Sequence, residues 1–191
     1  MKAVLHDYQK RAVRFVEDTP RCALLLEMGL GKSLITLTAL GRMLADMEVS
    51  KALVIAPRKV AESTWSDEVE KWEHLSGLRV SRVIGTEKQR VKALEQDADL
   101  YVLGRDSWVW LVKYYNASMP FDVLIIDELT SFKSNTSQRF KAMRLVRSQF
   151  SHIIGLTGTP APNGYLDLWA EVFCIDGGQR LGKFVTRYRS G

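Results

Sequence analysis

The sequence has few of the residues from which disulfide scaffolds and metal clusters are built. Only two of its 191 residues are cysteine and three are histidine, and they do not occur at metal-ligand spacing. Cys22 and Cys174 both lie among apolar residues, so we expect buried thiols rather than a disulfide. With 46% hydrophobic and 26% charged residues, the composition is that of an ordinary globular protein. Disordered and collagen-like classes are therefore excluded.

Long apolar runs are also missing. The longest span about five residues, as in Cys22–Leu26 and Ala52–Ala56, whereas a membrane-spanning helix needs ~20. No apolar stretch follows the first lysine, so we expect neither a signal peptide nor a membrane segment. Together with the scarcity of cysteine, this favours a reducing, cytoplasmic location. Lys and Arg outnumber Asp and Glu by 27 to 22, an excess that permits nucleic-acid binding without indicating it.

Short apolar runs alternate with amphipathic stretches along the chain. Five near-continuous runs are typical of strands buried on both faces of a parallel sheet: Ala23–Leu26, Ala52–Ala56, Leu100–Leu103, Val123–Ile126 and Ile153–Leu156. A sixth run, Leu78–Ile84, alternates and is predicted nearer an edge. Helical patterns lie between them: Tyr8–Glu17, Lys32–Met47, Lys59–His74, Thr86–Glu95, Ser107–Tyr115, Ser137–Phe150 and Tyr165–Phe173. The alternation predicts an α/β fold, a three-layer α/β/α sandwich with a mainly parallel sheet that binds ligands at the carboxyl ends of its strands.

The segment after the first predicted strand is typical of a phosphate-binding loop. It reads Glu27-Met28-Gly29-Leu30-Gly31-Lys32-Ser33 and leads into a long helix. Glycines let successive backbone N–H groups turn towards an anion, and the helix N-terminus adds its positive dipole. In this pattern Lys32 reaches the β- and γ-phosphates and the Ser33 hydroxyl coordinates Mg²⁺. We therefore predict an ATP and Mg²⁺ site formed by Met28, Gly29, Leu30, Gly31, Lys32 and Ser33. An ordinary glycine-rich turn before a helix is the alternative, since Leu26 replaces the first glycine of the usual pattern.

Two carboxylates, Asp127 and Glu128, directly follow the predicted strand Val123–Ile126. At this place in a nucleotide site one carboxylate holds Mg²⁺ and its neighbour can polarise the attacking water. We therefore predict Asp127 as a metal ligand and both residues, with Lys32, as catalytic. The alternative is a helix N-cap, a role that Asp often takes after a strand. The hydroxyls of Thr157 and Thr159, after the last strand, could hydrogen-bond this pair and sense the γ-phosphate.

Five segments together resemble superfamily two helicases, and within them the SWI/SNF-like DNA translocases and their bacterial and phage relatives. These segments are Leu5-His6-Asp7-Tyr8-Gln9, EMGLGKS, Ala56-Pro57-Arg58 with Trp65, Asp127-Glu128 and LTGTPAPNGYLDLW. Their order matches the N-terminal lobe of that family, so the resemblance implies a RecA-like P-loop NTPase lobe. It also implies that Gln9 reads the adenine edge with Tyr8 beside it; a polar residue opening an ordinary helix is the alternative. Leu129-Thr130 departs from the usual Ala-His or Gly-His, and Ser33 from the commoner Thr.

The resemblance also implies a path for DNA along neighbouring strand ends. Pro57 and Arg58 match a motif that touches the DNA backbone, and Arg105 follows the equivalent end of the strand Leu100–Leu103 and could do likewise. Such contacts hold a strand without reading its sequence. The segment Ser131–Phe150 is basic and has no acid, which suits either a phosphate-facing stripe or a solvated helix face. An aromatic cluster could stack on bases, although core packing is favoured: Trp108, Trp110, Tyr114 and Tyr115. The other three tryptophans fall at helical spacing beside apolar neighbours and are predicted to lie in the core: Trp65, Trp72 and Trp169.

Residues 1–175 are predicted to form the ATP-binding RecA-like domain, and residues 176–191 a basic tail or the start of a linker to a second lobe. Members of the resembled family hydrolyse ATP between two such lobes, and this chain carries the motifs of the first. We therefore expect the ATP-binding lobe of a DNA-dependent ATPase that needs a second lobe for efficient hydrolysis. A stand-alone nucleotide- or DNA-binding module with no meaningful ATPase activity is the alternative. A small-molecule kinase is disfavoured because such kinases lack the LTGTP segment.

Overall fold

Six strands lie where the apolar runs are. The computed structural model describes residues 2, 4–158 and 165–182. Within them the strands are β1 (Arg21–Leu25), β2 (Ala52–Ala56), β3 (Val80–Val83), β4 (Leu100–Gly104), β5 (Val123–Asp127) and β6 (His152–Thr157). They form one sheet in the order β1-β6-β5-β2-β4-β3, and every neighbouring pair is parallel. The predicted α/β fold is confirmed, and β3 lies at an edge as its alternating pattern indicated.

Seven α-helices occur in the described part of the chain. They are α1 (Asp7–Asp18), α2 (Lys32–Ala45), α3 (Trp65–Lys71), α4 (Glu87–Leu94), α5 (Trp108–Tyr114), α6 (Gln138–Val146) and α7 (Tyr165–Asp176). The single helix expected over Lys59–His74 is divided: a π-helix, Val60–Thr64, precedes α3, and the extended backbone of Trp72 ends it. This break lets Leu75 pack against Gly41 of α2. A search of the described helices for one with the length and apolarity to cross a bilayer finds none.

The sheet separates two hydrophobic clusters, because successive strand side chains point to opposite faces. In β2, Leu53 and Ile55 join the cluster beneath α4 to α7, whereas Val54 joins the one beneath α1 to α3. The three predicted layers are therefore present. Cys22 and Cys174 lie buried in opposite clusters as free thiols, as expected. Burial raises the pKa of the Cys22 thiol to about 12.

All carboxyl ends of the strands meet at one edge, because the sheet is parallel throughout. There Leu25 of β1 pairs with Thr157 of β6, and Asp127 of β5 pairs with Leu156. The phosphate loop, Thr157 and the two carboxylates therefore follow three adjacent strands. The next two strands in the sheet, β2 and β4, end beside Pro57 and Arg105. The fold thus places all the described candidate residues of the strand ends along one edge.

Candidate functional site

The phosphate loop joins β1 to α2 through two glycines with left-handed backbone. Gly29 has φ 83° and Gly31 has φ 81°, a region that residues with a side chain rarely adopt. A Cβ atom at Gly31 would also lie 2.7 Å from Nε2 of Gln9. Gly31 is the N-cap residue of α2, directly before its first residue Lys32. The glycine therefore permits both the turn into the helix and the close approach of Gln9.

Lys32 already lies within this loop. Its ammonium donates to the backbone carbonyl of Leu26 at 2.6 Å and to that of Glu27 at 3.2 Å. It is also close to β6, since a Cβ atom at Gly158 would lie 3.9 Å from Nζ. Because the cation stands between the ends of β1 and β6 at the start of α2, it can contact an anion bound by the loop.

The start of α1 contacts the phosphate loop through two predicted residues. Gln9 is only 6% exposed, and its Nε2 donates to the carbonyl of Leu30 at 3.4 Å. The Tyr8 hydroxyl donates to the same carbonyl at 3.1 Å. The Oε1 atom of Gln9 accepts from the backbone N–H of His6, which fixes the orientation of its amide. These contacts place Gln9 beside the loop, whereas its interpretation as an adenine contact stays a prediction.

A cavity of about 430 Å³ opens beside the loop, within the range of ~300–1,000 Å³ usual for small-molecule sites. Six of the eight predicted nucleotide-binding residues line it: Gln9, Met28, Gly29, Gly31, Lys32 and Ser33. Asp127 lines it from the end of β5. The other two predicted residues do not line the cavity: Leu30 belongs to the loop, and Tyr8 donates to its carbonyl. A larger cavity of about 750 Å³, beside α2 and His74, contains none of the predicted site residues. Size alone therefore does not identify the candidate site.

Asp127 is held by an aromatic side chain that sequence reasoning had interpreted as core only. The Trp65 indole Nε1 donates to Oδ2 of Asp127 at 2.9 Å across 62 residues of sequence. Burial raises the pKa of Asp127 above its ordinary value, and the charge of Glu128 raises it further. The hydrogen bond from Trp65 and the nearby cation of Lys32 lower this pKa and offset part of the rise. The sequence carried no signal for this contact, because Trp65 and Asp127 are 62 residues apart in the chain.

Glu128 has a left-handed backbone, φ 71°, and its carboxylate is held by two hydroxyls. Thr157 and Thr130 each donate to Oε1 of Glu128 at 3.0 Å. Glu128 stands at the N-cap of the 3₁₀ turn Leu129–Phe132, but its side chain makes no capping hydrogen bond. The N-cap alternative concerned Asp127, which is the last residue of β5 and not an N-cap, so this alternative has no support here. Thr130, noted in the sequence only as a departure from the family pattern, is a contact that sequence reasoning missed, and Thr159 lies outside the described residues.

The predicted DNA contacts lie at the ends of β2 and β4. Arg58 is exposed over 76% of its side chain and pairs with Glu62 at 2.9 Å. Arg105 is half-buried, and its guanidinium donates to the Ser131 hydroxyl at 3.0 Å. Pro57 precedes Arg58 directly after β2. The ends of β2 and β4 lie close together: a Cβ atom at Gly104 would lie 3.9 Å from Cα of Arg58.

The basic segment Ser131–Phe150 is not one uniform stripe. Arg139 pairs with Asp106, and Arg147 donates to the carbonyl of Ile175 at 2.9 Å, so both are committed to the fold. The remaining cations of the segment are exposed: Lys133, Lys141 and Arg144. In the aromatic cluster Trp108 is fully buried and donates to the carbonyl of Arg139, as core packing predicts. Core packing is wrong for Tyr114, which is exposed, while Trp110 and Tyr115 are half-buried.

The residues beside the loop fit a magnesium ion. Ser33 and Asp127 line the same cavity, and both supply the oxygen ligands that Mg²⁺ prefers. Within the described residues, Oδ2 of Asp127 is bonded to the indole while Oδ1 makes no hydrogen bond. The same part of the chain holds no group of three or more His, Cys, Asp or Glu side chains that would form an all-protein metal cage. This matches Mg²⁺ sites in nucleotide enzymes, where one or two carboxylates act together with phosphate oxygens.

A parallel α/β sheet with a phosphate loop at the end of β1 and two carboxylates at the end of β5, two strands away, defines a RecA-like P-loop NTPase lobe. The model of the SNF2-related domain family matches residues 8–176, so the chain belongs to that family. Protein p41 of Acyrthosiphon pisum secondary endosymbiont phage 1 is 37% identical over 190 residues, which cover 96% of this chain and 41% of p41. The DNA excision repair protein ERCC-6-like of Mus musculus is 27% identical, over 95% of this chain and 15% of its own length.

The fold also agrees with a solved structure. The Sulfolobus solfataricus SWI2/SNF2 ATPase core in complex with dsDNA has a TM-score of 0.84 and is 25% identical, covering 100% of this chain and 39% of that one. The chain thus spans less than half the length of each of these three proteins. The predicted relationship to SWI/SNF-like helicases and translocases is confirmed, together with the RecA-like lobe.

Proposed function

We propose that the chain is the ATP-binding lobe of a DNA-dependent ATPase of the helicase or translocase type. One observation carries this proposal: Lys32, Ser33 and Asp127, from two different strand ends, line a single cavity of about 430 Å³. Glu128 follows Asp127 directly and is held by two hydroxyls. A cation, metal ligands and a carboxylate base are the groups that phosphoryl transfer to water requires.

Each of these side chains has a role in the proposed site. Lys32 exchanges the Leu26 and Glu27 carbonyls for phosphate oxygens, while Gln9, with Tyr8 beside it, contacts adenine. Ser33 and Asp127 hold Mg²⁺, which when bound neutralises charge on the β- and γ-phosphates. Glu128 orients the attacking water and accepts its proton through the oxygen that the threonines leave free.

DNA is proposed to lie along the neighbouring strand ends. The dsDNA complex of the Sulfolobus solfataricus core supports a DNA partner for this lobe. Pro57, Arg58 and Arg105 are proposed to contact the DNA backbone, which favours binding without sequence preference. Thr157 touches Glu128 and therefore links the nucleotide site to this edge of the sheet; Thr159 shares the proposed coupling role.

Efficient hydrolysis is proposed to need a second RecA-like lobe, in cis or in trans. Residues 1–175 then form the first lobe, and residues 176–191 belong to a basic tail or linker. The second lobe is proposed to supply an arginine finger, a side chain that stabilises the charge of the transition state. In related phosphoryl-transfer systems such a residue raises the rate on the order of 10³- to 10⁵-fold. We therefore expect this chain to bind Mg·ATP but to hydrolyse it very slowly and with little DNA stimulation. Rapid, DNA-stimulated turnover by the 191-residue chain would contradict the need for a second lobe.

The nucleotide site is tested by Lys32→Ala. Loss of a charged group that bonds phosphate removes ~1.5–3 kcal/mol, so the Kd for Mg·ATP measured by calorimetry should rise about 10- to 150-fold. Lys113→Ala is the matched control, because Lys113 is an exposed lysine of α5 on the other side of the sheet. An unchanged Kd in Lys32→Ala would refute the proposed site, provided that circular dichroism shows the variant to be folded.

A further inference from the structure

Trp65 is the residue with the most unusual position beside the proposed site. It is 0% exposed although it stands at the start of α3, and its indole N–H donates at 2.9 Å to Asp127 rather than to a backbone carbonyl. The ring also lines the cavity that contains Lys32 and Ser33. A buried carboxylate oxygen needs a donor, and the indole supplies it here. Trp65 therefore touches the proposed metal ligand directly.

The segment directly before Trp65 is itself held by hydrogen bonds. The π-helix Val60–Thr64 runs from the end of β2 into α3, and such turns are frequent at functional sites. Glu62 in this turn accepts from the Arg58 guanidinium at 2.9 Å and, through its carbonyl, from Arg82 at 2.9 Å. The backbone N–H of Ala61 donates to the carbonyl of Pro57, also at 2.9 Å. Trp65 thus follows a turn that is closed by two local bonds and joined to the edge strand β3 through Arg82.

We propose that Trp65 is a positioning residue for the magnesium site: its indole holds Oδ2 of Asp127 and turns Oδ1 towards the ion. This inference rests on the proposed function, because it assigns a role to a residue that supports a proposed Mg²⁺ ligand. Asp127 has two equivalent oxygens and a freely rotating carboxylate, so a single fixed donor decides which oxygen faces the cavity. The phosphate loop and Gln9 are not part of this contact. Trp65 therefore acts on the metal and not on the nucleotide itself.

Replacement of Trp65 by phenylalanine keeps a buried aromatic ring and removes the N–H donor. Partners that orient metal-ligating side chains typically contribute ~10–100-fold to metal affinity. We therefore expect Trp65→Phe to raise the Mg²⁺ concentration needed for tight nucleotide binding about 10- to 100-fold. Affinity for the nucleotide in EDTA should stay unchanged, because the contacts of Lys32 with the phosphates are intact. A residue that only supported packing would weaken both affinities together.

The experiment measures binding of AMP-PNP by calorimetry in EDTA and over a Mg²⁺ titration. Trp108→Phe is the matched control: Trp108 is equally buried and its indole donates to the carbonyl of Arg139 at 3.2 Å, far from the cavity. This control should lose packing without any change in Mg²⁺ dependence. Unaltered Mg²⁺ dependence in Trp65→Phe would overturn the role of Trp65 alone. Failure of the unaltered chain to bind AMP-PNP, or equal binding after Lys32→Ala, would overturn the proposed function instead.

A measurement on the unaltered chain covers the case in which Trp65→Phe does not fold. The five tryptophans give five indole N–H signals in a ¹⁵N-correlated NMR spectrum, assigned by through-bond experiments. Addition of Mg²⁺ to the AMP-PNP complex should shift the Trp65 signal, because its acceptor becomes a metal ligand. The Trp108 signal should not move. A Trp65 signal that is unaffected by Mg²⁺ would overturn the proposal.

Discussion

Replacement of Gly155 by alanine should destabilise the chain through a single defined clash. Gly155 is buried in β6, and a Cβ atom there would lie 2.6 Å from Cδ1 of Leu129 and 2.8 Å from both Cδ2 and Cγ. Leu129 is only 2% exposed, so its side chain has no free space into which to rotate. Overpacking of this kind costs ~1–3 kcal/mol. We expect a loss of about that size in the free energy of unfolding, measured by urea denaturation with tryptophan fluorescence.

A double-mutant cycle shows whether Leu129 is the side chain that the new methyl group meets. Leu129→Ala alone should cost ~2–5 kcal/mol, because it leaves a cavity in the core. In Leu129→Ala/Gly155→Ala the added methyl group occupies part of that cavity, so the combined loss should be smaller than the sum by ~1 kcal/mol or more. Additive losses, within ~0.5 kcal/mol, would refute this packing.

Gly77 provides the control for the glycine substitution. A Cβ atom at Gly77 has no atom within 4 Å, so Gly77→Ala should change the free energy of unfolding by less than ~0.5 kcal/mol. Leu129 directly follows Glu128, which has a left-handed backbone and accepts a hydrogen bond from Thr157. We therefore expect a displacement of Leu129 to disturb Glu128 as well. The glycine therefore matters for the candidate site as well as for stability.

Two further predictions concern the thiols and the DNA contacts. Because burial raises the pKa of Cys22 to about 12 and raises that of Cys174 as well, both stay protonated, and Ellman's reagent should label two thiols only after unfolding. Thiols in the unfolded chain ionise above a pH of ~8.5, so the free energy of unfolding should fall as the pH rises from there towards 12. Rapid labelling of the native chain, or a free energy of unfolding that is flat over that range, would contradict buried thiols. Arg58→Ala should weaken binding of duplex DNA at every sequence tested and lower the salt dependence by about one ion, with nucleotide affinity unchanged. An unaltered salt slope in fluorescence anisotropy titrations would remove Arg58 from the proposed DNA path.

Features that depend on short stretches of chain could be predicted. Buried parallel strands need near-continuous apolar runs, so all six strands were identifiable. Most of the predicted strand ends differ from the observed ends by one or two residues. The phosphate loop was recognisable because its glycines and Lys32 are adjacent in sequence. The helix over Lys59–His74 was predicted as continuous, since periodicity does not distinguish an α-helix from a π-turn that keeps one face apolar. In the fold the break accompanies the approach of Leu75 to Gly41 of α2, a contact that periodicity does not encode.

Contacts between distant segments could not be read from the pattern. Trp65 was interpreted as a core residue, and it is buried, but its indole also meets Asp127. Thr130 was noted as a departure from a family motif, and only the fold brings its hydroxyl to the oxygen that Thr157 also contacts. The basic segment after Ser131 was uniform in charge, yet the surrounding acids and carbonyls bind two of its arginines.

The fold class, the family and the residue types of the candidate site can be read from the chain alone, because apolar runs and glycine-rich loops are encoded locally. Which strand ends are neighbours, and therefore which side chains share a cavity, depends on how the strands assemble into the sheet. The order β1-β6-β5-β2-β4-β3 brings residues of the last strand between those of the first and the fifth. That order arises from the packing of helices on both faces of the sheet, an interaction among residues far apart in the chain. The orientation of Asp127 and Glu128 follows from hydrogen bonds with residues that are distant in sequence, Trp65 and Thr157.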